Sequence, residues 1–259
     1  MNNKCRFYTR ITLSGLLVSR IAFASEGADP HARELPYKVI KFVVIDAESR
    51  QAISEGEERI SFDGGFISKD TVYWRAGDAQ KKTIQEESCS FELKTLRPRY
   101  YKFQNQGSGE SVVLSGDSKN AFAEKLLYRD TLSKPEVSIP FKWRPELIIG
   151  KTLHHVIARS WPTLIEGKPR SFELFVPMKR EQYSFRVSKK SEAKEGGDLV
   201  RTISLEPDNW AFRQLAPAML FHYSQRGETP TLIRYEGPTT VNIDNKPDRK
   251  VMINFAYES

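Results

Sequence analysis

The stretch "VMINFAY", residues 251–257, decides the fold class. Val251, Ile253, Phe255 and Tyr257 fall on one side of a period of two, and Met252, Asn254 and Ala256 on the other. That period belongs to a β-strand, because successive side chains of a strand point to opposite faces. One apolar face and one mixed face describe a half-buried strand, the usual state in antiparallel sheet.

The pattern recurs through the chain. "FELFV" (172–176) sets Phe172, Leu174 and Val176 together, and "YSFRV" (183–187) does the same with Tyr183, Phe185 and Val187. "CSFEL" (89–93) sets Cys89, Phe91 and Leu93 against Ser90 and Glu92. "KVIKFVVI" (38–45) is more uniformly apolar and is expected to bury both faces. Between such runs lie Asp63-Gly64-Gly65, Glu195-Gly196-Gly197-Asp198 and Asp244-Asn245-Lys246-Pro247-Asp248. Gly and Asn accept the positive φ of tight hairpins, so each marks a reversal between neighbouring strands.

Helical signals are few. "TLHHVIARSWPTLIEG" (152–167) can place Leu153, Val156, Ile157 and Trp161 on one side, with Pro162 breaking the helix or opening a second turn. "PDNWAFRQLAP" (207–217) offers Asp208 as N-cap and Pro217 as a stop. "GDSKNAFAEKLLYRD" (116–130) fits a helix capped by Ser118 or a strand. With no repeat and no low-complexity linker, the expectation is a mainly β protein. It is one antiparallel curved sheet or barrel-like single domain of ten or more strands, with two or three short helices.

Residues 1–24 read as a secretory signal peptide, followed by a single β-rich domain over 25–259. Lys4, Arg6 and Arg10 form a charged start, Ile11 to Val18 a short apolar run, and Ala22-Phe23-Ala24 a small-x-small cleavage site. Arg20 is out of pattern. The expected destination is periplasmic or secreted, with cleavage near Ala24. The whole chain of 259 residues has 40 Lys and Arg against 33 Asp and Glu, a net of +7. Removing the four basic residues of the leader leaves 36 against 33, or +3. So weak a charge excess argues against a nucleic-acid partner. After the leader Cys89 stands alone, so no intramolecular disulfide can form and stability must come from a core. No later run reaches the roughly 18 apolar residues of a membrane helix.

Candidate chemistry is sparse. Gly116-Asp117-Ser118 resembles the nucleophile block of one family of serine esterases and lipases. Such a serine needs a histidine base within reach, and that family presents it as Asp-x-x-His. None of His31, His154, His155 and His222 has an aspartate three residues before it, so Ser118 is read as a turn or cap residue. Adjacent His154 and His155 would point about 100° apart on a helix and cannot chelate as an i, i+4 pair would; they are read as helix-surface or partly buried. "RPRYYKFQ" (97–104) interleaves bases with aromatics, as a stacking platform for single-stranded nucleic acid or sugar rings would. Alternation alone reads it as a strand with Tyr101 and Phe103 inward and Lys102 outward. Cys89, on the face of Phe91 and Leu93, is read as a buried inert thiol. No P-loop, dinucleotide fingerprint, Cys-x-x-Cys or His-Glu-x-x-His occurs, so no catalytic, cofactor-binding or metal-binding residue is assigned.

The stretches "FELFVPMKREQYSFRV" (172–187), "LEPDNWAFRQLAPAMLFHY" (205–223), "LIRYEGPTTVNID" (232–244) and "HVIARSWPTLIEGKP" (155–169) resemble a group of exported bacterial β-rich proteins of unknown function. The resemblance covers about residues 150–257 and implies an exported, β-rich domain without a catalytic assignment. Within it, Trp210 and Trp161, each on a short helix, are expected to plug the edges of a curved sheet. Arg234 and Glu236, flanking Tyr235, are expected to face water, and Gly237-Pro238 to turn the chain or bulge the strand.

Three functions fit these readings. The first is a non-catalytic binding or carrier module holding a lipid or other apolar ligand inside the curved sheet, motivated by 15 Phe and 10 Tyr on a β-rich chain. The second is a structural or assembly partner of an envelope protein. The third is a hydrolase with a site assembled by the fold, in which Ser118 or His155 would act. "KVIKFVVI" and "ELIIG", apolar on both faces, favour the carrier.

Overall fold

The computed structural model describes residues 39–116, 122–145, 147–177, 179–213, 218–226, 229–239, 241, 243 and 249–258. The leader, Cys5, His31, Ser118, Pro217 and the turn at 244–248 lie outside them.

Among the described residues fifteen strands form one sheet. They are β1 (Val39–Asp46), β2 (Ala52–Asp63), β3 (Phe66–Arg75), β4 (Thr83–Glu92), β5 (Pro98–Asn105), β6 (Ser111–Ser115), β7 (Lys125–Arg129) and β8 (Val137–Pro140). Then come β9 (Leu147–Ile149), β10 (Arg170–Val176), β11 (Glu181–Glu195), β12 (Asp198–Pro207), β13 (Met219–Arg226), β14 (Thr229–Pro238) and β15 (Lys250–Glu258). β1 pairs with β2 on one side and β15 on the other. Two meanders run outward from there, through β8 one way and back through β9 the other. The stretch 251–257 thus sits at the middle of the sheet, with Phe255 opposite Phe42.

The hairpins follow the turn chemistry. Gly64 and Gly65 join β2 to β3 at φ of +52° and +85°, and Gly196 and Gly197 join β11 to β12 at +58° and +89°. Two central residues at positive φ match the right-handed twist of the strands they connect.

One neighbouring pair is different: β9 and β10 run parallel. A parallel pair cannot be joined by a tight turn and needs a long crossover, which lies over one face of the sheet. Here the crossover holds a 3₁₀ turn (Gly150–Thr152), α1 (Leu153–Arg159) and α2 (Trp161–Ile165). Pro162 falls in the first turn of α2, where its missing N–H is harmless. A third helix, α3 (Trp210–Arg213), connects β12 and β13.

The sheet curls around α1 and α2 until its ends approach each other. Phe141, after β8, packs its ring 5.1 Å from Phe175 of β10. The Arg180 guanidinium lies 5.1 Å from the Tyr128 ring of β7, and Arg144 donates to Gln182 at 2.7 Å. Among the described residues no ladder joins β8 to β9, so the molecule is a barrel-like sheet that does not close. Its inner rows carry Ile40, Phe42 and Val44, Tyr73, Phe91, Tyr101 and Phe103, then Phe185, Phe221, Tyr223 and Tyr235, all buried. Burial of one such aromatic side chain stabilises by roughly 1.5–3 kcal/mol.

Three expectations are corrected. Residues 38–45 do not bury both faces: Ile40, Phe42 and Val44 point inward while Lys41 is exposed, because the outer side of β1 is uncovered. Asp208 is not the cap of α3; the Asn209 side chain accepts the Ala211 N–H at 2.9 Å. Trp210 plugs nothing and is 71% exposed, since α1 and α2 already fill the interior. Trp161 does plug it, with its ring 5.2 Å from that of Tyr223.

Gly56 marks a tight approach in the sheet. It sits between Phe42 and Tyr73 in the ladder, and the Phe42 ring covers it, meeting Tyr73 edge-on at 5.1 Å. A Cβ there would overlap the Phe42 ring and stand 2.5 Å from the Val72 carbonyl oxygen. Gly56→Ala is expected to lower unfolding free energy by about 1–3 kcal/mol in urea titration, as overpacking does. Phe42→Leu should recover part of that loss in the double variant.

Candidate functional site

The crossover carries a lysine into the barrel. Lys151, on the 3₁₀ turn, is wholly buried. Its Nζ lies 3.0 Å from Glu58 Oε2, 2.6 Å from Thr71 Oγ1 and 3.5 Å from Glu87 Oε2. Glu58, Thr71 and Glu87 face one another across β2, β3 and β4 because the ladder pairs Thr71 with both. Thr71 also donates to Glu58 at 3.1 Å. Lys69, one inward position along β3, approaches Glu58 Oε1 at 3.7 Å. Two ammonium groups and two carboxyl groups therefore share one buried cluster.

Burial raises the pKa of a carboxyl and lowers that of an amine, and neighbouring opposite charge reverses both. For Glu58 burial is outweighed by the Lys151 and Lys69 ammonium groups, and its pKa falls below the usual value. For Glu87 burial prevails over Lys151, and its pKa rises. Burial would lower Lys151, but Glu87 and Glu58 hold it above the ordinary lysine value. Lys69, with less compensation from Glu58, is lowered. The favoured ion pair is thus Lys151 with Glu58.

The same interior holds Cys89 and two of the histidines. Cys89 pairs with Lys69 and Tyr101 in the ladders, and burial pushes its thiol up to about 12. The burial expected for Cys89 is thus present, and it disfavours thiolate, the reactive form. His154 and His155, read from the sequence as helix-surface or partly buried, are fully buried. They belong to a helix with every residue from Leu153 to Ala158 enclosed. His154 stacks on Tyr223 with ring centroids 5.6 Å apart and Nδ1 3.1 Å from its hydroxyl. His155 meets Phe91 edge-on at 5.0 Å, neither of its ring nitrogens has a hydrogen-bond partner among the described residues, and burial pulls its pKa well below the usual value. An activated nucleophile needs a base that substrate can approach; His155 is sealed from solvent. No group of three or more His, Cys, Asp or Glu among the described residues is placed to hold a metal ion.

"RPRYYKFQ" is a strand edge-to-edge with its neighbours. Tyr101 and Phe103 face the core, and Lys102 faces out to Glu86 at 2.6 Å. Arg234 and Glu236 face outward as expected, joined at 3.1 Å and accompanied by His222, whose Nε2 lies 3.1 Å from Glu236.

Solvent reaches a pocket of about 330 Å³ on the outer wall. The alternation of β1, β2, β3 and β15 puts Val43, Glu55, Trp74, Asn254 and Ala256 on that side, with the backbone around Phe42, Gly56 and Phe255 between them. Trp74 donates its indole N–H to Glu55 at 3.2 Å, and Lys81 lies 4.9 Å over its ring. Lys41 completes the rim, paired with Glu258 at 2.6 Å. The site is apolar at its base and charged at its edge.

No protein-family model and no curated protein matches this chain. Among solved structures it is similar to a β-barrel-like protein of the domain of unknown function DUF1849 from Brucella abortus. The identity is 10%, with 85% of this chain and 97% of that one covered and a TM-score of 0.45. It is also similar to a "putative lipoprotein" from Parabacteroides distasonis, at 7% identity, 85% and 94% coverage and a TM-score of 0.28. No helix among the described residues is long and apolar enough to cross a membrane.

Two outcomes follow from the buried cluster. Lys151→Met should destabilise the fold by about 3–5 kcal/mol in denaturant titration, because it strands buried carboxylates. Glu58 stabilises the fold above the ordinary glutamate pKa of 4.5, and that contribution is lost as pH falls through its lower folded value. Glu58→Gln should therefore flatten the acid limb of the stability profile, followed by thermal melts across pH.

Proposed function

We propose that this chain is an exported, non-catalytic binding module that holds a lipid or other small apolar ligand on the outer wall of an unclosed barrel. Residues 1–24 direct export and are removed near Ala24, leaving one domain in the periplasm or beyond. The observation that carries the binding reading is the outer pocket, whose base of Val43, Trp74 and Ala256 is apolar and whose rim of Lys41, Glu55 and Lys81 is charged. Its volume of about 330 Å³ stands at the lower end of the usual range for ligand sites. It suits a small ligand or one end of a chain. The interior of the sheet is a poorer place for a ligand, because α1 and α2 occupy it and β1 buries only its inner face. Sealed titratable groups support a non-catalytic reading: Cys89 and His155 are both fully enclosed.

Native mass spectrometry of protein purified gently from its own envelope tests this reading. A reproducible extra mass that dissociates as a lipid or other apolar species is expected. Ala256→Trp, which fills the pocket from an exposed position, should abolish that mass while leaving the melting temperature nearly unchanged. A clean ligand-free mass for the wild type, or a ligand retained by Ala256→Trp, would sink the proposal.

A further inference from the structure

Arg99 interrupts the ladder between β4 and β5. Ser90 pairs with Tyr100 and Phe91 with Pro98, which leaves Arg99 as the extra residue of a bulge. Bulges re-aim a side chain out of the regular alternation. The Arg99 guanidinium lies 3.4 Å from the centroid of the Phe66 ring on β3. Arg97 lies 4.1 Å from the Phe122 ring and 5.7 Å from that of Trp143. The Phe66 and Phe122 rings are themselves 6.2 Å apart. Two cations and three half-buried rings therefore form one patch.

Among the described residues nothing compensates the charge of this patch. Neither guanidinium has an ion pair or a side-chain hydrogen bond among the described residues, and the Nε of each is shielded from water without an acceptor. Glu92, opposite Phe66 in the ladder, accepts from the Thr95 hydroxyl and pairs with neither arginine among the described residues. A guanidinium resting on a ring still presents the N–H groups at its edge, in a fork that matches carboxylate and phosphate oxygens. Two such forks, on rings whose centroids are 6.2 Å apart, favour a group with several oxygens and more than one negative charge. The rings beside them offer apolar contact to whatever carries that group. General basicity does not explain the arrangement, since the chain after its leader is only +3.

We propose that Arg97 and Arg99, held on Phe66, Phe122 and Trp143, form a binding site for a phosphate-bearing ligand. It is separate from the outer pocket and shares no residue with it. The phosphate belongs either to a phospholipid headgroup or to a soluble phosphate ester.

The test uses the chain after its leader, residues 25–259, and two kinds of probe. Calorimetric titration with inorganic phosphate and glycerol phosphate reports the soluble source. Cosedimentation with phosphatidylcholine vesicles, with and without phosphatidylglycerol, reports the headgroup. Binding to the soluble probes, or to the anionic vesicles alone, supports the site and assigns its source. Arg97→Gln/Arg99→Gln should weaken binding about tenfold or more, as loss of charge-assisted hydrogen bonds does. Arg97→Lys/Arg99→Lys keeps the charge but loses the fork and the ring stacking, and should weaken binding several-fold with the melting temperature preserved. If the glutamine pair fails to fold, the lysine pair decides. Absence of binding to both the soluble probes and the anionic vesicles, unchanged binding in the glutamine pair, or wild-type binding in the lysine pair would overturn the proposal.

Discussion

Lys151 is an ammonium group with no access to water, and the inside of this protein is arranged around it. Desolvating a charge costs several kcal/mol unless a partner of opposite charge and further hydrogen bonds replace the lost water. Glu58, Thr71 and Glu87 supply that replacement from three adjacent strands. The requirement begins in the topology. A parallel β9–β10 pair demands a crossover, the crossover lies in the concave face, and its first turn brings Lys151 against β2, β3 and β4. Those strands must therefore place polar side chains on a face that elsewhere is aromatic and aliphatic. The ion pair docks the plug at a defined depth, and the rings of Tyr223 and Phe91 on the sheet then pack against His154, His155 and Trp161 of the helices.

A plugged barrel leaves little interior to a ligand. In this molecule the groups that can meet a partner are on the outer wall, where Lys81 covers Trp74 and where Arg97 and Arg99 rest on aromatic rings. The first follows the regular alternation of β3, whereas the second arises where alternation is disturbed: between β4 and β5 the register shifts at Ser90 and Phe91 and leaves Arg99 unpaired. Extra residues at such shifts re-aim side chains, so a sheet gains surface features without losing its core.

Part of the buried cluster is legible in the strand periodicity. Taking Cys89 and Phe91 as inward on β4 makes Glu87 and Gln85 inward by the same period of two. Ile60 does the same for Glu58, and Ile67 for Lys69 and Thr71. Three strands with charged residues on the apolar parity are a signal for a buried polar site, because an unpaired buried charge is not tolerated. Lys151 carries no such signal. It lies in a short turn without periodicity, and its partners are 93, 80 and 64 residues away in sequence. The histidines mislead for a related reason: periodicity assigns α1 one apolar side, but a crossover inside a barrel is enclosed on every side.

The fold class, most strands with their inward faces, and two hairpin turns were all determined by the amino-acid sequence alone. Those properties are local: the side-chain period, the conformational freedom of glycine and the rigidity of proline act over a few residues. Tertiary structure was needed to decide that the sheet fails to close, that one strand pair is parallel, that the crossover fills the interior, and that Arg97 and Arg99 settle on rings contributed by other segments. These depend on which distant segments share space, and the chain brings them together only through the net balance of burial, charge pairing and ladder register.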